Sequence, residues 1–144
     1  MRFHKDELPK VAAELLAAAK NNVGSGATVI ALSGDLGAGK TTLVQHLAKE
    51  LGVSTIPPSP TFVIMRSYET TDAVFTKLVH IDAYRIETEE ELRPLHLERV
   101  FEAQNTLVCI EWPEKLGKAI PPSALQIGLI SQAENERELL GIWG

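Results

Sequence analysis

Thr28-Val29-Ile30-Ala31-Leu32-Ser33-Gly34-Asp35-Leu36-Gly37-Ala38-Gly39-Lys40-Thr41-Thr42 is the stretch on which the reading of this chain turns. Its first part, Thr28 to Leu32, is a short apolar run rich in β-branched residues, as expected of a buried strand. Its second part, Gly34 to Thr41, matches the spacing G-x-x-x-x-G-K-[ST] at every position. A helix is expected to follow, from about Lys40 to Leu51. The glycines Gly34, Gly37 and Gly39 allow backbone that side chains would block, so that N–H groups of Asp35, Leu36, Ala38 and their neighbours face inward as an anion nest. The helix start adds unpaired N–H groups and a positive dipole end. In this arrangement the Lys40 ammonium reaches the β- and γ-phosphates of a nucleoside triphosphate, and the Thr41 hydroxyl coordinates magnesium. At ordinary residue frequencies a chain of this length matches the pattern by chance roughly 0.5% of the time. The pattern also follows a strand and opens a helix, the context that the chemistry requires.

On the N-terminal side of this stretch, Leu8 to Asn21 has Val11, Leu15 and Ala18 at helical spacing, with Pro9 in the first turn and a stop at Asn21-Asn22-Val23-Gly24. Gly24-Ser25-Gly26 then makes a turn. On the C-terminal side, Ile56-Pro57-Pro58-Ser59-Pro60 reads as a surface loop. Thr61 to Ser67 and Ala73 to Ile81 form two expected strands joined by a polar turn around Glu69 to Asp72, a β-hairpin. Thr88 and Glu91 have capping-box spacing, and the helix they open is interrupted near Pro94. Leu107-Val108-Cys109-Ile110 is a second buried-strand run, and Pro113 to Gly117 suits one helical turn. Ala124 to Ile130 and Arg137 to Ile142 form a second hairpin. The sum is an α/β chain of the P-loop NTPase type. It is expected to be one domain, residues 1–144, with a mixed sheet flanked by helices and carrying two β-hairpins.

Composition bounds the partners. The chain has 144 residues, 44% hydrophobic and 23% charged, the balance of an ordinary globular protein. Its formal net charge of −5 argues against gripping RNA or DNA unaided, because such binding rests on Lys and Arg neutralising phosphates. A single cysteine, Cys109, excludes a disulfide framework and a cysteine metal site. No apolar run approaches the roughly 20 residues that span a bilayer. The N-terminus lacks an apolar signal core, so a reducing, cytoplasmic location is expected. The histidines His4, His46, His80 and His96 show no metal-ligand spacing and read as structural or surface residues.

An NTPase site needs an acidic residue at the end of a neighbouring strand, holding magnesium directly or through water. Asp82 ends Leu78-Val79-His80-Ile81, and Glu111 ends Leu107-Val108-Cys109-Ile110. Spacing leaves open which of the two is the ligand.

Four segments together give a sharper likeness. Gly34 to Thr42, Ser59-Pro60-Thr61-Phe62, His80-Ile81-Asp82-Ala83-Tyr84-Arg85 and Glu111-Trp112-Pro113, in this order and spacing, resemble the TsaE family over nearly the whole chain. The resemblance implies ATP binding with magnesium and weak ATPase activity. It also implies assembly with TsaB and TsaD proteins to form threonylcarbamoyladenosine on tRNA, the tRNA being held by those partners. By the same resemblance Lys40, Thr41 and Thr42 lie at the phosphates and magnesium, and Thr61 on a nucleotide-sensing segment. Asp82 and Glu111 act around the metal and the attacking water, and Trp112 lies near the nucleotide. One departure is visible: Leu95-His96-Leu97 stands where the family usually has Leu-Gly-Leu. Histidine takes a positive φ less readily than glycine, so a different local backbone is expected there.

Two other functions fit a P-loop less well. A stand-alone small-molecule kinase needs a lid carrying several arginines, whereas the longest candidate insertion here, from Ile86 to Asn105, starts strongly acidic. A GTP-dependent switch needs an Asn-Lys-x-Asp motif, which the chain lacks.

Overall fold

The computed structural model describes residues 2–35, 37–54 and 64–141. Seven strands form one mixed sheet: β1 Arg2–His4, β2 Thr28–Ser33, β3 Met65–Glu69, β4 Lys77–Asp82, β5 Thr106–Glu111, β6 Leu125–Ala133 and β7 Glu136–Gly141. Their order across the sheet is β1-β7-β6-β2-β5-β4-β3. The centre is parallel: β2 lies between β5 and β6, and β4 continues on the far side of β5. Antiparallel hairpins close the two flanks, β3 with β4 and β6 with β7, and β1 adds to β7. The expected mixed sheet with two hairpins is therefore the observed one.

Helices cover both faces. On one side lie α1, Leu8–Lys20, and α2, Lys40–Glu50, whose Leu15, Leu43 and Leu47 pack on Ile30, Leu32, Leu78 and Leu107. On the other side, Val29, Val79, Ile81, Val108 and Ile110 are covered by Ile86, Leu97 of α3 (Leu97–Glu102) and Leu116. The inner strands are thus buried on both faces, which is why they read as unbroken apolar runs rather than alternating ones. Each fully buried Leu or Ile contributes about 1.5–3 kcal/mol by leaving water. Among the described residues, no helix is long and apolar enough to cross a membrane.

Four local expectations need correction. Residues Ala73 to Thr76 are not strand, because the Asp72 carboxylate takes the N–H groups of Val74 and Phe75 at 2.9 Å each and curls the chain into a longer turn. The segment after Thr88 carries the expected capping box but runs as a 3₁₀ helix, Glu89–Leu95, before α3 begins. Its terminator, His96, sits at φ 50, ψ 52. That is the left-handed conformation glycine favours, so histidine here keeps the backbone and bears the strain instead of changing it. Finally, β1 had no counterpart in the sequence reading. The expected loop at Ile56 to Pro60 lies outside the described residues, as do Thr61 to Val63 of the expected first hairpin strand.

Candidate active site

The site grows from the carboxyl ends of β2, β4 and β5, where ligands collect in open α/β sheets. Beyond Ser33 the chain turns through Gly34 at φ 145, Gly37 at φ 80 and Gly39 at φ 105. At Gly34 the requirement is also steric, since a Cβ there would lie 2.3 Å from the Leu129 carbonyl oxygen. Gly39 caps α2 and offers no side-chain hydrogen bond to the first turn. The N–H groups at the start of α2 therefore have no side-chain acceptor from their own cap. Asp35 and Gly37 lie exposed on the loop and Ala38 is buried beneath it.

Lys40 opens α2 and is 4% exposed. Its ammonium donates to the Gly34 carbonyl and lies 3.6 Å from the centre of the Trp112 ring. Burial lowers its pKa, against the pull of Glu111, Glu114, Asp82 and Asp35. No carboxylate lies within ion-pair distance of it among the described residues. A nearly buried ammonium held by one carbonyl and an aromatic face is poised for a stronger anionic partner.

Thr41, next in α2, donates its hydroxyl to Glu111, with 2.8 Å to Oε1 and 3.0 Å to Oε2. Glu111 ends β5 at 3% exposure. Asp82 ends β4 directly beside it in register. Asp82 is half-buried and accepts the Tyr84 N–H at 3.0 Å. Burial, reinforced by the neighbouring Glu111 charge, raises its pKa. Trp112 follows Glu111 in a left-handed conformation, φ 58, ψ 53, rare for so bulky a residue. That turn lays the indole against Lys40, with the Tyr84 ring 5.1 Å away.

The structure brings together Gly34, Lys40, Thr41, Asp82, Glu111 and Trp112. Thr42 is exposed on the same helix turn, and Leu36 and Thr61 lie outside the described residues. The reading took His80 as a structural or surface residue and gave it no place in the site; it is buried, and at 1% exposure its Nε2 lies 2.6 Å from Glu111 Oε2. Strand periodicity held the signal, since His80 stands two residues before Asp82 and so shares its face.

The donor set suits magnesium brought in by a nucleotide. A hydroxyl and one or two carboxylates are what such an ion takes from protein, its other ligands being phosphates and water. Among the described residues there is no cluster of three or more His, Cys, Asp or Glu side chains that could hold a metal by themselves.

The family profile described as threonylcarbamoyl adenosine biosynthesis protein TsaE matches residues 4–139. A relative named tRNA threonylcarbamoyladenosine biosynthesis protein TsaE, from Bacillus subtilis (strain 168), is 41% identical over 112 residues, covering 77% of this chain and 66% of its own length. Its namesake in Rickettsia felis is 33% identical over 135 residues, 93% of this chain and 73% of that protein. The Synechocystis namesake is 40% identical over 92 residues, 62% of this chain, and the match spans only 56% of its length. Among solved structures, that of Bacillus subtilis YdiB superposes with a TM-score of 0.71 at 27% identity, covering 100% of this chain and 84% of the other.

Proposed function

The chain belongs to the TsaE family, and from that premise we propose that it is an ATP-binding and ATP-hydrolysing subunit in the formation of threonylcarbamoyladenosine on tRNA. It works with TsaB and TsaD proteins, which hold the tRNA. A net charge of −5 gives this subunit little hold on nucleic acid of its own.

One observation carries the reading. The Lys40 ammonium is nearly buried beneath a loop of positive-φ glycines, without a carboxylate ion pair among the described residues. A β/γ-phosphate group supplies the missing anion. Thr41 and Glu111, already in contact, would hold the magnesium that accompanies it. The chemistry such an ion would supply there is neutralisation of charge on the phosphate oxygens. Glu111 and Asp82 orient the attacking water and accept hydrogen bonds from it as its O–H bonds become more acidic, and Trp112 bounds the pocket on the Lys40 side.

The test is Lys40→Ala. It removes a charge-assisted contact worth about 1.5–3 kcal/mol, hence roughly tenfold or more in ATP affinity or turnover. The fold survives, because Lys40 opens a helix instead of filling the core. Reconstituted with TsaB, TsaD and tRNA, the variant is expected to fail in repeated rounds of modification. A Lys40→Ala protein that binds and hydrolyses ATP like the wild type overturns the phosphate-cradle assignment.

A further inference from the structure

His80 lies in β4, separated by β5 from the strand that leads into the glycine loop, and touches none of the loop's residues in the hydrogen bonds described. Its contact is with Glu111. The two side chains are 1% and 4% exposed, and the Nε2 to Oε2 distance of 2.6 Å is that of a strong, charge-assisted bond. A carboxylate only accepts, so Nε2 carries the hydrogen. Nδ1 is buried and has no partner among the described residues. With the hydrogen on Nε2, what remains unpaired at Nδ1 is a lone pair rather than an N–H, the arrangement in which no donor is stranded.

Glu111 is thus held from two sides. Thr41 spans both oxygens from α2, and His80 takes Oε2 from β4. The two holds differ in kind. The Thr41 oxygen would be shared with a cation while its O–H still donates to Glu111. The described side-chain contact of His80 is with Glu111 alone. The backbone supports it, because His80 pairs with Cys109 and Asp82 with Glu111 in the same parallel ladder.

We propose that His80 is a positioning residue for Glu111: it pins Oε2 so that Oε1 stays presented to Thr41 and to the magnesium the two share. This rests on the magnesium-nucleotide reading above. Residues that orient a metal-binding carboxylate typically change metal affinity or activity by about 10–100-fold when removed.

The experiment measures binding of a fluorescent ATP analogue, first in EDTA and then across a magnesium titration, with melting curves for every variant. His80→Leu fills the space without a donor, whereas His80→Gln returns an amide N–H near the Nε2 position. In EDTA, His80→Leu is expected to bind within about twofold of wild type, since His80 serves the cation and not the phosphates. Its half-saturating magnesium concentration should rise about 10–100-fold, and His80→Gln should recover most of that loss. If His80→Leu does not fold, His80→Gln is set against His80→Asn, whose amide is one methylene short. Gln should then titrate like wild type and Asn should be impaired. The proposal is overturned by an unchanged magnesium midpoint in His80→Leu, or by equal impairment with and without the restored amide. A wild type that binds no ATP, or binds it without responding to magnesium, overturns the nucleotide reading itself and is seen before any variant is compared.

Discussion

Strands β4 and β5 run side by side in unbroken register from Lys77↔Thr106 to Asp82↔Glu111, yet their two ends are built on opposite terms. At the amino end, β5 is entered through Asn105 at φ 56, a residue that tolerates left-handed backbone. The Asn105 carbonyl accepts the N–H groups of Thr76 and Lys77 that lead into β4. Asp72, in the preceding turn, accepts two backbone N–H groups and pairs with Lys20 at 2.9 Å. Burial pulls its carboxyl upward, but the Phe75 N–H, Lys20 and the Val74 N–H outweigh that and hold it below its ordinary value. At the carboxyl end the left-handed residue is Trp112, where such backbone costs about 1–2 kcal/mol. There Asp82 has its pKa raised by burial and by Glu111, and Lys40 has its own lowered by burial. The ladder is common to both ends, so the difference lies in the side chains. One end is arranged for stability. The other concentrates strain and poorly compensated charge, the pattern expected of an active site.

The sharpest way to break this comparison acts on the carboxyl end. Glu111→Gln and Asp82→Asn remove charge and keep shape. Each is expected to slow ATP turnover about 10²-fold or more, a loss typical of a positioned group that orients or deprotonates the attacking water. At saturating magnesium the ATP affinity of each should change far less, because the ground-state phosphates are held by Lys40 and the loop. Phosphate release and equilibrium binding, measured on the same preparations, separate the two effects. A variant with wild-type turnover removes its residue from the site.

At the amino end the expected loss is of stability. Asp72→Ala strips the acceptor from two N–H groups and the partner from Lys20, at a cost of about 2 kcal/mol. For a domain of this size that lowers the melting temperature by about 4–8 °C. The pH dependence follows from a folded pKa below the unfolded one. The Asp72 contribution is complete above the ordinary carboxylate range, about pH 4, and is lost as pH falls through the lower folded value. Melting curves of wild type and Asp72→Ala should therefore converge on acidification, while ATP turnover at neutral pH is preserved. A turnover loss at the scale of Glu111→Gln would mean that the two ends are not independent.

The central architecture was legible because of how it is buried. Strands covered on both faces leave continuous apolar runs, and β2 and β5 announce themselves that way. The glycine loop was legible because its chemistry is position-specific, from Gly34 to Thr41. What the sequence concealed was decided at a distance. Strand β1 has three residues and one buried side chain, Phe3, and exists only through its pairing with β7. Ala73-Val74-Phe75 has strand-like composition, but a single carboxylate, Asp72, captures the N–H groups a ladder would need. The closeness of Asp82 to Glu111 depends on the alignment of two parallel strands, which neither strand's own residues specify. His80 was weighed by metal-ligand spacing, the wrong test for a residue whose role is to hold a carboxylate.

The smallest expected effect probes the claim that the carboxyl end is costly. In the nucleotide-free protein, Asp82 is half-buried beside another carboxylate, and its charged form is disfavoured by the fold. Asn at this position keeps the oxygen that accepts the Tyr84 N–H and discards the charge. Asp82→Asn should therefore melt slightly above wild type at neutral pH, by less than Asp72→Ala falls below it. The loss of attraction to Lys40 works the other way, but burial is the larger influence. The sign with pH is opposite to that of Asp72. A folded pKa above the unfolded one means the charge costs stability at high pH. That cost fades as pH falls through the folded value and is gone below about pH 4, where the unfolded chain also holds the proton. Melting temperatures followed from neutral pH down to about pH 4 should thus show the advantage of Asp82→Asn shrinking, although its turnover is lost. An Asp82→Asn protein that melts below wild type at neutral pH, or whose advantage grows on acidification, would mean that Asp82 bears no electrostatic cost. The contrast between the two ends would then rest on the backbone of Trp112 and the burial of Lys40 alone.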